Sequence, residues 1–211
     1  KAQLALARMH YDGKFAQKDV HEGWLLLQQA LAAGDSDALA ELGRMHWKGE
    51  NAEKDPKAGM DYLTKAARKK SVRGMQYLGE MCARGVEGIC EKDLLKAESW
   101  LQKSVAGGGG EDALKSLADV QDELGHAYEK AIGGMRKDWI EAEKWFLKAA
   151  KNGCASTLEF NNAGYVQYCL GKAFEKGSDG YPQDSFAALE WYQKAKDNGE
   201  DVDICLKFTL L

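Results

Sequence analysis

Five times along the chain the apolar pattern closes on the same step: a leucine followed by glycine or alanine, a large residue four positions after the leucine, then a glycine. The step reads Leu6-Ala7…His10…Gly13, Leu42-Gly43…His46…Gly49, Leu78-Gly79…Cys82…Gly85, Leu124-Gly125…Tyr128 and Leu170-Gly171…Phe174…Gly177. The leucines are 36, 36, 46 and 46 residues apart, a period that marks a solenoid of stacked repeats. A second column keeps the same phase, because 13 to 15 residues after each leucine stands an aspartate: Asp19, Asp55, Asp93, Asp138 or Asp184. Each opens an apolar helical run, where a carboxylate accepts from the free amides of the first turn and complements the helix dipole. Pro56, directly after Asp55, sits where a helix has no use for an amide. Asp19…Glu22 and Asp138…Glu141 have capping-box spacing, with Asp in the Ser/Thr role.

Seven residues after each aspartate comes a bulky side chain, Leu26, Tyr62, Trp100, Trp145 or Trp191, and four further on a small one, Ala30, Ala66, Ser104, Ala149 or Ala195. That spacing places large and small residues on one helical face, so neighbouring helices approach closely and the ring fills the space beside them. Each unit therefore reads as a helix A carrying the Leu-Gly step, a short loop, a capped helix B, and a glycine (Gly34, Gly108, Gly153 or Gly199) that ends B. The expected chain is ten helices in five hairpins, with repeats near residues 1–34, 35–70, 71–108, 109–153 and 154–199 and a capping tail over 200–211.

The combined pattern, Ala-x-x-x-Leu-Gly-x-x-Tyr-x-x-Gly followed by Asp, Ala, Trp, Ala-Ala and Gly, resembles the Sel1-like repeats, relatives of the tetratricopeptide repeat. The stretch from Asp138 to Gly153 (DWIEAEKWFLKAAKNG) carries it most fully, and Asp184 to Gly199 nearly as well. The resemblance covers almost the whole chain and implies an all-α, right-handed α/α superhelical solenoid of helix-turn-helix, tetratricopeptide-like units. The family's tyrosine position holds His10, His46, Cys82, Tyr128 and Phe174. A His-His-Cys column invites a metal, but successive hairpins step by roughly 8–10 Å whereas zinc ligands converge within about 2.0–2.3 Å of one ion. These residues are read as packing substitutes, and neither a metal nor a cofactor is expected.

The last two units are longer because residues are inserted before their Leu-Gly steps. Gly108 to Leu124 is 16 residues and Gly153 to Leu170 is 17, against 8 from Gly34 to Leu42. Gly107 to Gly110 cannot continue a helix cheaply, yet Glu111 to Lys130 reads as helical, so a loop followed by a lengthened A helix is expected there. Residues 154–163 read as a loop with one extra turn. Paired insertions on one edge suggest a functional rim.

A formal net charge of −4 and an isoelectric point near 5.7 argue against nucleic acid, which needs clustered basic charge. No stretch approaches the roughly 20 apolar residues of a membrane span, and no signal peptide is visible. The five cysteines, 82, 90, 154, 169 and 205, do not recur at a fixed place in the unit, unlike those of the family's disulfide-rich branch; an odd, unphased set points to a reducing, cytoplasmic setting. The loop between Cys82 and Cys90 is able to bring that pair together, and a bond there would favour a periplasm reached by a signal since removed. Four histidines, at 10, 21, 46 and 126, fall in different helices, and no HExxH, CxxC, GxSxG or phosphate-loop motif occurs. Catalysis is not expected.

The tetratricopeptide likeness implies that the A helices line a concave groove, with outward positions two and five residues before each leucine and two, five and six after it. The partner-binding residues expected on that register are Arg8, Tyr11, Arg44, Trp47, Arg73, Gln76, Glu80, Arg84, His126, Tyr168 and Lys172. Arg, Tyr and Trp are the commonest interface anchors, and an arginine fork grips a carboxylate with both arms. The expected function is a non-catalytic adaptor or scaffold whose N-terminal half holds an acidic segment of another protein. The alternative is an inhibitor that caps a toxin or hydrolase, as do some immunity proteins resembling Sel1-like solenoids, with a regulatory domain fused to something upstream of Lys1 as a third arrangement.

Overall fold

The computed structural model describes residues 2–12, 19–154 and 161–202. Among these residues the chain is ten helices: α1 (Ala2–Asp12), α2 (Val20–Ala32), α3 (Ser36–Lys48), α4 (Pro56–Arg68), α5 (Val72–Arg84), α6 (Leu94–Ala106), α7 (Gly110–Lys130), α8 (Trp139–Lys151), α9 (Asn162–Lys176) and α10 (Ser185–Asp197). No strand occurs among them; the isolated bridge between Val86 and Cys90 belongs to the α5–α6 loop. The chain divides into two compact units, residues 1–116 and 117–211, and the division falls within α7. The loop and lengthened A helix expected after Gly107 are present, α7 running 21 residues. Residues 155–160 of the other insertion, the terminating Gly13 and most of the tail lie outside the described residues.

Every B helix starts as its aspartate requires. Asp19, Asp55, Asp93, Asp138 and Asp184 are N-caps whose carboxylates accept first-turn amides. The capping box does not close. The amide that Glu22 or Glu141 would take is already spent on the preceding helix, Asp19 N donating to His10 O (3.2 Å) and Asp138 N to Tyr128 O (3.1 Å). The same bond recurs from Asp55 to His46, Asp93 to Cys82 and Asp184 to Phe174, at 2.8 to 2.9 Å. The varied column four after the leucine thus serves each hairpin through its backbone carbonyl, which a residue supplies whatever its side chain. This accounts for a column that tolerates His, Cys, Tyr and Phe.

The exits are equally regular. The amide of Asp35, Ser71, Gly109, Cys154 or Glu200 donates to the carbonyl of Ala30, Ala66, Ser104, Ala149 or Ala195, at 2.9 to 3.0 Å, the six-to-one closure of a Schellman motif. The residue before each donor has positive φ: Gly34, Gly108, Gly153 and Gly199, with Lys70 (φ 60°) in the second repeat.

The core corrects one column. The bulky residues seven after the aspartate are not the deepest; Leu27, Leu63, Leu101, Phe146 and Tyr192, eight after it, are fully buried. In the last four repeats they fill the gap that the Leu-Gly glycine leaves, a β-carbon on Gly43, Gly79, Gly125 or Gly171 falling 2.6 to 2.8 Å from the partner side chain. Tyr62, Trp100 and Trp191 are half-buried, and Trp145 lies at the margin of the core at 9% exposure. In repeats two to five a lysine three residues on covers the ring, at 5.6, 4.4, 3.7 and 3.7 Å from Lys65, Lys103, Lys148 and Lys194, a cation–π arrangement.

Candidate functional site

In residues 1–116 the A helices α1, α3 and α5 bring most of the expected binding residues onto one face. At its centre is Glu41 of α3, whose carboxylate is 3% exposed. Arg8 of α1 donates through Nε to Glu41 Oε2 (3.1 Å), with Nη2 3.0 Å from the same oxygen. Arg44 donates through Nε (2.9 Å) and Nη2 (2.6 Å) to Oε1, and through Nη1 to Glu50. Tyr77 of α5 stands among these charges: burial raises its hydroxyl pKa, Glu41 raises it further, and Arg44, Arg8 and Arg73 oppose the shift. Two further bonds tie neighbouring repeats together: Ser71 donates to Asp37 Oδ1 (2.6 Å), and Ser116 donates to Glu80 (3.2 Å), which also accepts from Gln76 one turn back in α5 (3.0 Å).

This arrangement overturns part of the expected groove. Arg8 and Arg44 do not present open forks, because a carboxylate of their own chain fills them. Tyr11 and Trp47, placed outward by the register, are buried at 4% and 7% exposure, and Gln76 is buried as well. Their position, five after the leucine for Tyr11 and Trp47, turns toward helix B of the same hairpin. There a glycine makes room: a β-carbon on Gly23 would meet the Tyr11 ring at 2.7 Å, and one on Gly59 would meet the Trp47 backbone nitrogen at 2.9 Å. The signal was in the sequence, since repeats with a large residue at that place carry Gly23 or Gly59 four after the capping aspartate, and the others carry Ala97, Ala142 and Ala188. Burial raises the Tyr11 hydroxyl pKa to about 12. Arg73 and Arg84 are exposed, and Glu80 is half-buried.

Within residues 117–211, of the remaining three expected residues, His126 has its own surroundings while Tyr168 and Lys172 lie together. His126 Nδ1 is 2.8 Å from Glu129, Nε2 is 3.9 Å from Asp122, and the ring meets Phe146 edge-on at 4.9 Å. Tyr168 lies against Tyr192 at 5.7 Å with Lys172 over its ring at 5.3 Å. Gln167, buried, donates to Glu143 (2.7 Å) and accepts from Asn198 (2.8 Å).

Near Cys82 the loop folds back through paired bonds between Val86 and Cys90, 2.8 and 2.9 Å. Both cysteines are nevertheless free thiols, as is Cys169, and burial pushes the Cys82 thiol pKa up. Among the described residues no helix is long and apolar enough to cross a membrane, and no three His, Cys, Asp or Glu side chains gather as metal ligands would.

A family model described as Sel1 repeat matches residues 1–35, 36–71, 72–109, 118–154 and 164–200. The chain belongs to the Sel1 repeat family. Among solved structures it is similar to a Sel1 repeat protein from Oxalobacter formigenes, with 26% identity, 94% of this chain and 72% of that one covered, and a TM-score of 0.55. A protein from Klebsiella pneumoniae described as a Sel1 repeat protein is 25% identical over 94% of this chain and 86% of its own, with a TM-score of 0.46. The protective antigen c5321 of uropathogenic Escherichia coli is 23% identical over 94% of this chain and 46% of its own, with a TM-score of 0.46. No curated protein matches the sequence. Sel1 repeat proteins are generally non-catalytic modules for protein interaction, and the five Sel1 repeats here form a helical solenoid.

Proposed function

We propose that this Sel1 repeat protein is a non-catalytic adaptor that captures a protein partner on the A-helix face of residues 1–116. The observation carrying this reading is the Arg8–Glu41–Arg44 bridge, in which the charge-assisted Arg8–Glu41 bond crosses from one repeat to the next and the Arg44–Glu41 bonds brace the same carboxylate from within α3. Such bonds hold long side chains that would otherwise lose entropy on binding. A face ordered before the partner arrives binds more tightly for the same contact area. Beside that ordered centre, Arg73 and Arg84 extend into solvent, and arginine is among the residues most often found at interface hot spots.

Photo-crosslinking tests it. A photoreactive residue is placed at Arg73 on α5 or at the exposed Ser99 on α6, each chain is irradiated in the source cell, and adducts are identified by mass spectrometry. One protein captured from position 73 and not from 99 is the expected result. Capture from 99 alone moves the partner to the B helices, and capture from neither removes the reading.

A further inference from the structure

At the end of the A-helix face, where α3 and α5 both terminate, is a cavity of about 410 Å³ lined by Trp47, Lys48, Glu50, Lys54, Arg84 and Gly85. Its charge is one-sided. Glu50 is held by Arg44, and the Arg8, Arg44, Glu41 and Glu50 set is neutral within itself. Lys48, Lys54 and Arg84 have no ion-pair partner among the described residues. Two of the three lean on the indole of Trp47, Lys48 Nζ 5.7 Å and Arg84 Cζ 5.5 Å from the ring. Lys48 and Arg84 stand at helix C-termini, where a cation is favourable in its own right. Lys54 does not: it belongs to the loop, and the turn at Gly49 (φ +74°) brings its stem so close that a β-carbon on Gly49 would lie 3.0 Å from Lys54 Cβ. The loop thus carries a third cation to a place where two already stand, against their mutual repulsion, on a chain whose net charge is −4.

Resting on the protein-binding reading above, we infer that this cavity anchors a carboxylate side chain of the partner, and that the partner presents an acidic segment. The carboxylate supplies the charge that three cations lack, and the apolar stem of a glutamate or aspartate lies against the Trp47 edge. The cavity is at the small end of the roughly 300–1,000 Å³ typical of ligand pockets, which suits one side chain with its flanking peptide. Because the chain as a whole is acidic, attraction of an acidic segment must come from this local site and not from the net charge.

The test titrates the full chain with an acetylated, amidated oligoglutamate peptide and, in a parallel arm, with inorganic phosphate, following the indole resonance of Trp47 in ¹H–¹⁵N spectra. Expected is a saturable displacement by the peptide that weakens as salt rises, falls about tenfold or more in Lys54→Glu and in Arg84→Glu, and is unchanged in Arg68→Glu, an exposed charge reversal at the far end of α4. Milder Lys54→Gln and Arg84→Gln variants, with melting curves for each, keep the result interpretable if a reversal disturbs the fold. Equal loss in Arg68→Glu would reduce the effect to general charge and overturn the site. So would a peptide that never saturates, or a response to phosphate without one to peptide. A partner crosslinked at position 73 that binds the Lys54→Glu chain unchanged overturns the anchor and leaves the adaptor reading standing. Failure to crosslink any partner removes the adaptor reading, while the peptide titration still decides on the cavity.

Discussion

A β-carbon on Gly59 would stand 2.9 Å from the carbonyl oxygen of Gly43, so α3 and α4 meet backbone to backbone. Neither obstacle can rotate aside, since the next nearest atom is the backbone nitrogen of Trp47, also at 2.9 Å. Gly59→Ala is expected to destabilise residues 1–116. Overpacking costs about 1–3 kcal/mol, more than the roughly 1 kcal/mol that alanine gains over glycine inside a helix. Urea denaturation measures the balance, and a variant more stable than the parent would show that α4 is free to shift.

Two non-glycine residues end helices in the left-handed region, Lys70 (φ 60°) and Ala131 (φ 55°), at places where the other described repeats have glycine. A side chain there costs about 1–2 kcal/mol, and glycine returns part of that gain as unfolded-state entropy. Lys70→Gly and Ala131→Gly should each stabilise by roughly 0.5–1 kcal/mol. Thermal melts of the single and double variants check this, with additivity expected because the sites are in different units.

Phe146 is fully buried under Gly125, while its neighbour Trp145 is at the core margin beneath Lys148. Phe146→Ala should cost about 3–5 kcal/mol, and Trp145→Ala less. The reverse order in chemical denaturation would restore the tryptophan column as the principal core.

Glu41→Gln removes the charge that holds Arg8 and Arg44 while keeping its shape. Breaking a buried pair from one side costs about 3–5 kcal/mol. The arginine side chains are 21% and 15% exposed and can recruit water, so about 3 kcal/mol is expected. The same variant should weaken capture at position 73, because the face loses its order. Unchanged stability would mean that water already screens the bridge.

Asp179 accepts from the Trp139 indole (3.0 Å) and pairs with Lys137, contacts that lower its pKa below the ordinary 3.8. A depressed carboxylate contributes stability above its unfolded pKa and loses it as pH falls through the folded value. Stability of residues 117–211 should therefore decline below about pH 4. Asp179→Asn, which tolerates the left-handed backbone at this position, should shallow that decline. Urea midpoints across the acid range give the answer; identical slopes for both chains would exclude Asp179 as a contributor.

Much of this architecture was legible in the chain because its devices are local. An N-cap aspartate and a helix-ending glycine act within a turn of themselves, so their columns marked helix ends wherever the ends were described. The long α7 followed from a glycine run and the helical pattern after it for the same reason. The capping boxes at Asp19 and Asp138 do not close because a competing acceptor, the carbonyl of His10 or Tyr128, lies nine or ten residues back in sequence but one hydrogen bond away in space. The residue eight after the aspartate, and not the one seven after it, is the deeper for a similar reason. Adjacent helical positions differ by about 100°, and only the glycine on the facing helix says which of them points inward.

The sequence by itself determined the repeat, its period and the helix boundaries, since these rest on backbone conformation and first-turn hydrogen bonds that each segment satisfies alone. Tertiary structure decided which side chains remain available. Arg8 and Arg44 read as open forks until folding sets Glu41 between them; Tyr11 and Trp47 read as surface anchors until Gly23 and Gly59 draw them inward; Lys54 carried no signal until the Gly49 turn laid it beside Trp47 and Arg84. Burial and charge pairing are properties of what lies across the contact, and that neighbour comes from another segment of the chain.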